Sequence, residues 1–256
     1  MKLFFGQKVT KSYLQRRYFN LDDFWERSWK RRDFGSYNIV KPGFVSEGRS
    51  VPERINRPSY FDTSMPPPGP DEPEIKTEAQ IKKMRDSCRL ARFMLDSVGK
   101  YIKVYLNGFH GDCSAMFLVG EVDKDGKALV KATEQSLERA ISICRPGEFF
   151  CNIGSEVELV ARKAGFTVVP CFTGHGIGSY FHGPPDIYHC YNNYPGKMKT
   201  GMVFTIEPVL AQGSHEIVIL EDGWTAVTLD NGRTAQFEHT VLITDDGVEI
   251  LTNNVA

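Results

Sequence analysis

No apolar stretch in this chain of 256 residues is long enough to cross a bilayer, which excludes a transmembrane helix. There is no Cys-x-x-Cys pair, and no spacing repeats among Cys88, Cys113, Cys144, Cys151, Cys171 and Cys190. The apolar piece Leu3-Phe4-Phe5 is too short for the core of a secretory signal. A disulfide framework is therefore not expected, and the cysteines read as reduced thiols, mostly buried. An excess of charge is missing too. The 31 basic residues are balanced by 32 acidic ones, a net of -1, and this excludes a uniformly basic nucleic-acid binder. No tandem repeat of short period is visible. Neither Ser214 nor any cysteine has the neighbours of an activated nucleophile, which argues against Ser or Cys hydrolysis. What is present, 41% hydrophobic and 25% charged residues, is ordinary for a globular protein of one large or two small domains.

The balanced total hides an asymmetry. Residues 1–60 hold 13 Lys and Arg against 6 Asp and Glu, and the first acidic residue is Asp22. A basic, acid-free start is the composition of an organellar transit segment, or of a basic tail. Residues 1–65 are read as this leader; within it the stretch Trp25–Phe34 could form a short helix. The run Pro-Pro-Pro-Gly-Pro-Asp-Glu-Pro-Glu at 66–74 reads as an extended linker, leaving 75–256 as the folded domain.

The domain opens on a capping box. Thr77 and Gln80 stand three apart before Ile81, Met84, Cys88, Leu95 and Val98 at helical spacing, with Gly99 as the stop. A strand over Tyr101–Leu106 then meets Asn107-Gly108, a two-residue hairpin signal, and returns from Phe109 to about Val119. That loop pairs Leu106 with Phe109 and places Lys103 opposite Asp112. Position 101 then falls on the Asp112 face, diagonal to it. Asp125-Gly126 is read as the turn into a helix over Lys127–Cys144, and a further helix over Ile153–Ala164 ends at Gly165. Strands are expected at Val168–Phe172, Val203–Leu210, Glu216–Leu220, Ala226–Leu229, Phe237–Thr244 and Glu249–Thr252, with a hairpin at Asp230-Asn231-Gly232. Helices and strands in such blocks indicate an α+β class.

The residues able to do chemistry cluster late in the chain. Gly174-His175-Gly176-Ile177-Gly178 ends a strand, and its glycines allow close backbone approach to a ligand. It lacks the spacing and the following helix of a dinucleotide site. His182 follows in the same loop. Glu207 and Glu238 each interrupt an apolar strand, where a buried carboxylate is costly unless paired or metal-bound. Two of them with a glycine-flanked histidine point to an oxygen and nitrogen metal site. Asp112 alone would be a turn residue. His110, His189, His215 and His239 show no partner pattern and are read as structural or surface residues.

Taken together, Asp112, Gly-His175-Gly-Ile-Gly, Phe181-His182, Thr-Ile-Glu207-Pro and Gln-Phe-Glu238-His resemble a type 1 methionine aminopeptidase, most of all the organellar branch, from about Ile75 to Leu251. The motifs in this order are far more specific than any one of them. The resemblance implies the pita-bread fold, two pseudo-symmetric α+β halves around a dinuclear metal centre. It implies that two divalent ions (Co, Mn, Fe or Zn) activate a water and polarise the scissile carbonyl, and that initiator methionine is removed when the second residue is small. Carried over residue by residue, Asp112, His175, Glu207 and Glu238 match four of five metal ligands. Glu207 also matches the proton acceptor, His182 the histidine that contacts the scissile amide, and Phe181 and Trp224 residues lining the methionine pocket. Substrates would be N-terminal methionyl peptides and nascent chains, with the ribosome as a candidate partner and no nucleic acid or membrane. The basic leader would direct the chain to mitochondria, the cytoplasm being the alternative.

The departure is as specific as the match. The family's fifth ligand is an aspartate eleven residues before the one matching Asp112; this chain has Tyr101 there. A whole segment of the first half is read as absent between Val104 and Tyr105, and with it a second substrate-contacting histidine and part of the methionine pocket. Two further readings compete with an active aminopeptidase: a non-catalytic member of the same fold that binds metal or peptide, and a wider relative such as a proline dipeptidase.

Overall fold

A computed structural model describes residues 50–63, 65–98, 102–106, 108–220 and 225–253. The reading of the leader up to residue 49, and those of Gly99, Tyr101, Asn107 and Trp224, lie outside the described residues.

Helix α1 (Glu78–Val98) starts as its capping box requires. The Thr77 amide donates to Gln80 Oε1 at 2.8 Å, and the Gln80 amide reaches Thr77 Oγ1 at 3.4 Å. Its buried stripe of Ile81, Met84, Cys88, Ala91 and Leu95 alternates three and four residues, one face of a helix. The hairpin β1 (Ile102–Leu106) and β2 (Phe109–Cys113) has the register that a two-residue loop dictates, with Leu106 opposite Phe109 and Lys103 opposite Asp112. The Ser87 hydroxyl on α1 donates to the Phe109 carbonyl at 2.9 Å and ties the helix to β2.

The returning strand is shorter than expected. It ends at Cys113, Ser114 bridges to Glu238, and Phe117, Leu118 and Val119 are exposed rather than paired. Helix α2 (Lys124–Ser142) begins three residues before the expected start. Asp123, not Asp125-Gly126, is the cap, its carboxylate accepting from the Gly126 amide at 2.7 Å, so Gly126 lies inside the first turn. Helix α3 (Cys151–Ala164) ends at Gly165, whose φ of 78° is left-handed backbone that glycine adopts without strain.

The strands that follow are β3 (Thr167–Val168), β4 (Gly174–Gly176), β5 (Gly183–Ile187), β6 (Val203–Ile206), β7 (Val209–Ala211), β8 (Ile217–Ile219), β9 (Ala226–Thr228), β10 (Thr234–Gln236), β11 (His239–Ile243) and β12 (Val248–Ile250). They form a five-stranded sheet in the order β12-β11-β6-β4-β5, a three-stranded sheet β10-β7-β3 and the ribbon β8-β9. One expected strand is therefore divided between sheets. Val203–Leu210 breaks at Glu207-Pro208, where the chain leaves the larger sheet for the smaller. The segment around Phe237 makes the opposite passage from β10 to β11. Asp230-Asn231-Gly232 is a turn but not a hairpin, since β9 pairs with β8 and β10 with β7. Helices α2 and α3 cover the sheets over a core that includes Leu129, Ile153, Phe204, Ile206, Leu210 and Ile243. Helix α1 and Phe109 close a second cluster with Ile177, Phe181, Val203 and Leu242.

The proline-rich segment 66–74 lies on the protein, with bends at Asp71 and Glu72. A Cβ placed on Gly69 would stand 2.6 Å from Gly183 Cα, so the two backbones touch. Pro67, Pro68 and Pro70 line a cavity of about 290 Å³ with Glu74, Ser179 and Tyr180. The Lys76 side chain, wholly buried, pairs with the Glu74 carboxylate and reaches the Tyr180 hydroxyl at 3.2 Å. All six cysteines are free; Cys88, Cys113 and Cys144 are buried, Cys151 and Cys190 half-buried, and Cys171 exposed.

Candidate metal centre

Residues far apart in the chain meet between β2, β4 and the two places where the chain changes sheet. Asp112 lies in β2, His175 in β4, Glu207 just after β6 and Glu238 just before β11. All four are buried, Glu238 completely. Ligand atoms of Asp112, His175 and Glu238 lie within 4.8 Å of one another. His175 Nε2 is 3.8 Å from Asp112 Oδ2 and 3.7 Å from Glu207 Oε1, which brings the fourth residue into the group.

Each of these residues is held by its backbone as well. Ser114 and Glu238 exchange both amide-to-carbonyl bonds, at 3.3 and 3.1 Å, which fixes Glu238 beside the end of β2. The Thr240 hydroxyl donates to the Asp112 carbonyl at 2.7 Å. His175 Nδ1 donates to the Gly176 carbonyl at 3.2 Å, which turns Nε2 toward the carboxylates. Thr205 links two of the residues. Its Oγ1 accepts from the His175 amide at 3.0 Å and donates to Glu207 Oε1 at 3.1 Å. Gln236 Nε2 donates to Glu207 Oε2 at 3.2 Å.

The Glu207 amide donates to His189 Nε2 at 2.9 Å, and His189 Nδ1 donates to the Phe172 carbonyl at 3.1 Å. Burial holds the His189 pKa down at about 4, so the ring is neutral at physiological pH. The exposed His182 packs against His175 with ring centroids 4.3 Å apart and against Phe181 at 4.2 Å. Phe181 is buried, with His110 at 5.3 Å on its other side. His110 is buried as well, its Nδ1 donating to the Gly178 carbonyl at 2.9 Å and its Nε2 2.5 Å from the Tyr60 hydroxyl.

Sequence reasoning thus named the four central residues and His182, and they come together here. It left His110 and His189 as structural or surface residues. Both are interior, with both ring nitrogens engaged. Thr205 and Gln236 stand in the motifs that carry Glu207 and Glu238, but the sequence reading assigned them no role; both meet Glu207 here. Nothing in the spacing marks His189.

The donor set suits a divalent ion. Three carboxylates in a small buried volume repel one another unless a positive charge sits among them, and the mixed O and N donors that the imidazole completes select first-row metals. The 3.7 and 3.8 Å separations fall within twice the metal–ligand distance of about 2.0–2.2 Å.

Known proteins resemble the chain on the same terms. The model of metallopeptidase family M24 matches residues 93–245. Methionine aminopeptidase 1D, mitochondrial, of Mus musculus is 39% identical over 288 positions, covering 88% of this chain and 86% of that protein. The crystal structure of methionine aminopeptidase from Rickettsia prowazekii superposes with a TM-score of 0.68 at 29% identity, over 71% of this chain and all of that one. The prolidase from Pyrococcus furiosus, at 17% identity and a TM-score of 0.56 over 71% of this chain and 66% of that one, shares the fold alone. The chain therefore belongs to metallopeptidase family M24, among the type 1 methionine aminopeptidases, and has their α+β pita-bread fold. One feature of the mouse alignment is its length: 88% of 256 residues is about 225, so roughly 60 of its 288 positions hold residues of the mouse protein alone.

Proposed function

We propose that this chain binds divalent metal through Asp112, His175, Glu207 and Glu238 and acts on N-terminal methionyl peptides, with low turnover in this shortened form. The observation that carries the reading is the convergence of one imidazole and three carboxylates inside the protein. Ions bound there, two per subunit in the family and drawn from Co, Mn, Fe or Zn, would supply Lewis acidity toward a peptide carbonyl and a water of lowered pKa. The protein's own groups do the rest. Glu207 accepts the proton of the attacking water, its two oxygens already oriented by Thr205 and Gln236. His182, exposed beside His175, donates to the scissile amide. Phe181 and Trp224 bound the methionine side chain.

Low turnover follows from what stands where the fifth ligand is expected. Tyr101 offers no carboxylate, so a second ion keeps only donors shared with the first. The roughly 60 positions that the mouse protein alone fills support an internal segment missing between Val104 and Tyr105. Its loss also removes part of the pocket, and positioning suffers with it. Turnover of a Met-Gly-Met peptide with added Co²⁺ or Mn²⁺ tests this. The chain as it stands should be at least about a hundredfold slower than one with a family segment inserted between Val104 and Tyr105, and restoring aspartate at 101 alone should recover little. Equal rates would refute the impairment. Calorimetry showing no uptake of any of these ions would refute the metal site. Residues 1–65 act as a mitochondrial leader in this reading, the mitochondrial names of relatives supporting it. A fluorescent fusion of residues 1–70 that stays diffuse in the cytosol would contradict that part.

A further inference from the structure

We propose that His189 is the positioning residue for Glu207, holding the backbone of that glutamate where the chain passes from one sheet to another. The inference rests on the reading of Glu207 as a metal-binding carboxylate and goes beyond it by assigning what aims it.

The need for such a residue comes from the topology. Through Ile206 the chain is paired with β11, Ile206 lying opposite His239; from Val209 onward it is paired with β10 and β3. Glu207 and Pro208 belong to neither ladder. Proline has no amide to give, and the Glu207 amide has lost its strand partner at the step where its side chain must point into the site. The same problem arises at Glu238, where the chain crosses back between the same two sheets. There a main-chain carbonyl, that of Ser114, takes the amide. At Glu207 no neighbouring strand supplies the acceptor, and the imidazole of His189, two residues beyond β5, supplies it instead at 2.9 Å.

The ring is itself aimed. Its other nitrogen donates to Phe172, two residues before β4, the strand that carries His175. His189 therefore spans the approach to one metal-binding residue and the amide of another. The Thr205 and Gln236 bonds fix the two carboxylate oxygens, and the His189 bond fixes the backbone from which they hang. An imidazole 1% exposed is an expensive way to fill a core position that leucine would fill well.

Three substitutions separate aiming from packing. In His189→Gln the amide oxygen reaches the place of Nε2 and still accepts from Glu207. In His189→Asn the shorter side chain reaches only the place of Nδ1 and can serve Phe172 but not Glu207. In His189→Leu volume is kept and both bonds go. The full chain would be loaded with Co²⁺ and its affinity and visible absorption compared, together with exchange of the Glu207 amide by NMR in the metal-free protein. Co²⁺ affinity should fall about tenfold in the Asn and Leu variants with an altered spectrum, and the Gln variant should stay within about twofold of the parent. If all three bind like the parent, or all three weaken alike in step with their melting temperatures, the assignment is overturned. Should the parent take up no Co²⁺, the metal reading fails by itself and amide exchange decides this one. Faster exchange at Glu207 in the Asn than in the Gln variant upholds it, and equal exchange overturns it.

Discussion

Replacing Asp112 by asparagine should stabilise the metal-free protein and destabilise the metal-loaded one relative to the parent. Asparagine keeps the shape and an accepting oxygen but not the charge. In the absence of metal, the donor atoms of Asp112, His175 and Glu238 stand within 4.8 Å of one another with Glu207 close by. Two ionised carboxylates at 4.8 Å repel by about 3 kcal/mol at an effective dielectric constant of 20. Relaxation of the side chains recovers most of that, so the expected gain is about 1 kcal/mol, or roughly 2–4 °C for a domain of this size. Saturating metal acts in the other direction. At about 100 times its dissociation constant an ion that binds only the folded state adds about 2.7 kcal/mol, or roughly 5–10 °C. The variant, short of one charged ligand, should keep little of that increment. Melting curves recorded in chelator and in Mn²⁺ or Co²⁺ should therefore cross, the variant ahead without metal and the parent ahead with it. A variant that is less stable under both conditions, or that gains as much from metal as the parent, would show that Asp112 is a structural carboxylate and remove it from the site.

Three more outcomes follow from other parts of the molecule. Glu74→Gln leaves the ammonium of Lys76 buried without its carboxylate and should cost about 2–3 kcal/mol in urea unfolding. Adding Lys76→Met should recover most of that, and simple additivity of the two changes would deny the coupling. Gly154→Ala puts a methyl group 2.1 Å from the Cys190 carbonyl on the face of α3 that meets this loop; a loss of about 2 kcal/mol or more is expected, and an unchanged melting temperature would mean that helix and loop are not held in contact. The hydrogen bond from Arg85 holds the Glu249 carboxyl below the usual carboxylate range, so the pair contributes above the unfolded-state pKa and is lost as pH falls through the folded one. Both side chains are more than a third exposed, so Arg85→Gln should flatten the acid limb of the stability profile by less than about 1 kcal/mol.

What was legible in the sequence was whatever local chemistry decides. Thr77 and Gln80 start α1 because a capping box needs only four residues. The register expected from a two-residue loop is that of β1 against β2, with Leu106 opposite Phe109 and Lys103 opposite Asp112, because so short a connection leaves one possibility. What was not legible depends on partners distant in sequence. Val-Phe-Thr-Ile-Glu-Pro-Val-Leu reads as one strand from its own side chains. Only the separate ladders to β11 and β10 divide it. The turn at Asp230-Asn231-Gly232 has hairpin residues, yet its flanking strands had other edges to fill. The approach of Asp112 to Glu238, 126 positions apart, is set by a bridge at Ser114 that no spacing announces. The resemblance supplied the central residues at once, but not Thr205, Gln236 or His189, which act on the backbone or on other side chains.

The same bonds explain how the site assembles in a chain with roughly 60 positions fewer than its mouse relative within the alignment. Asp112 is the one central residue that comes from the first half of the fold, and it sits in a hairpin that has two strands among the described residues. What holds it comes from elsewhere. Thr240 in β11 takes its carbonyl, Glu238 bridges Ser114 two residues on, and Ser87 of α1 holds the carbonyl of Phe109 at the start of β2. None of these depends on a further strand beside β1. His175, Glu207 and Glu238 lie wholly within the second half, at β4 and at the paired crossings between its two sheets. On the proposed reading, a segment missing between Val104 and Tyr105, within β1, would leave the anchors of these four residues in place while taking away whatever it contributed to the pocket. Affinity for a first ion and peptide turnover should then separate in this chain, the former close to that of a full-length relative and the latter far below it.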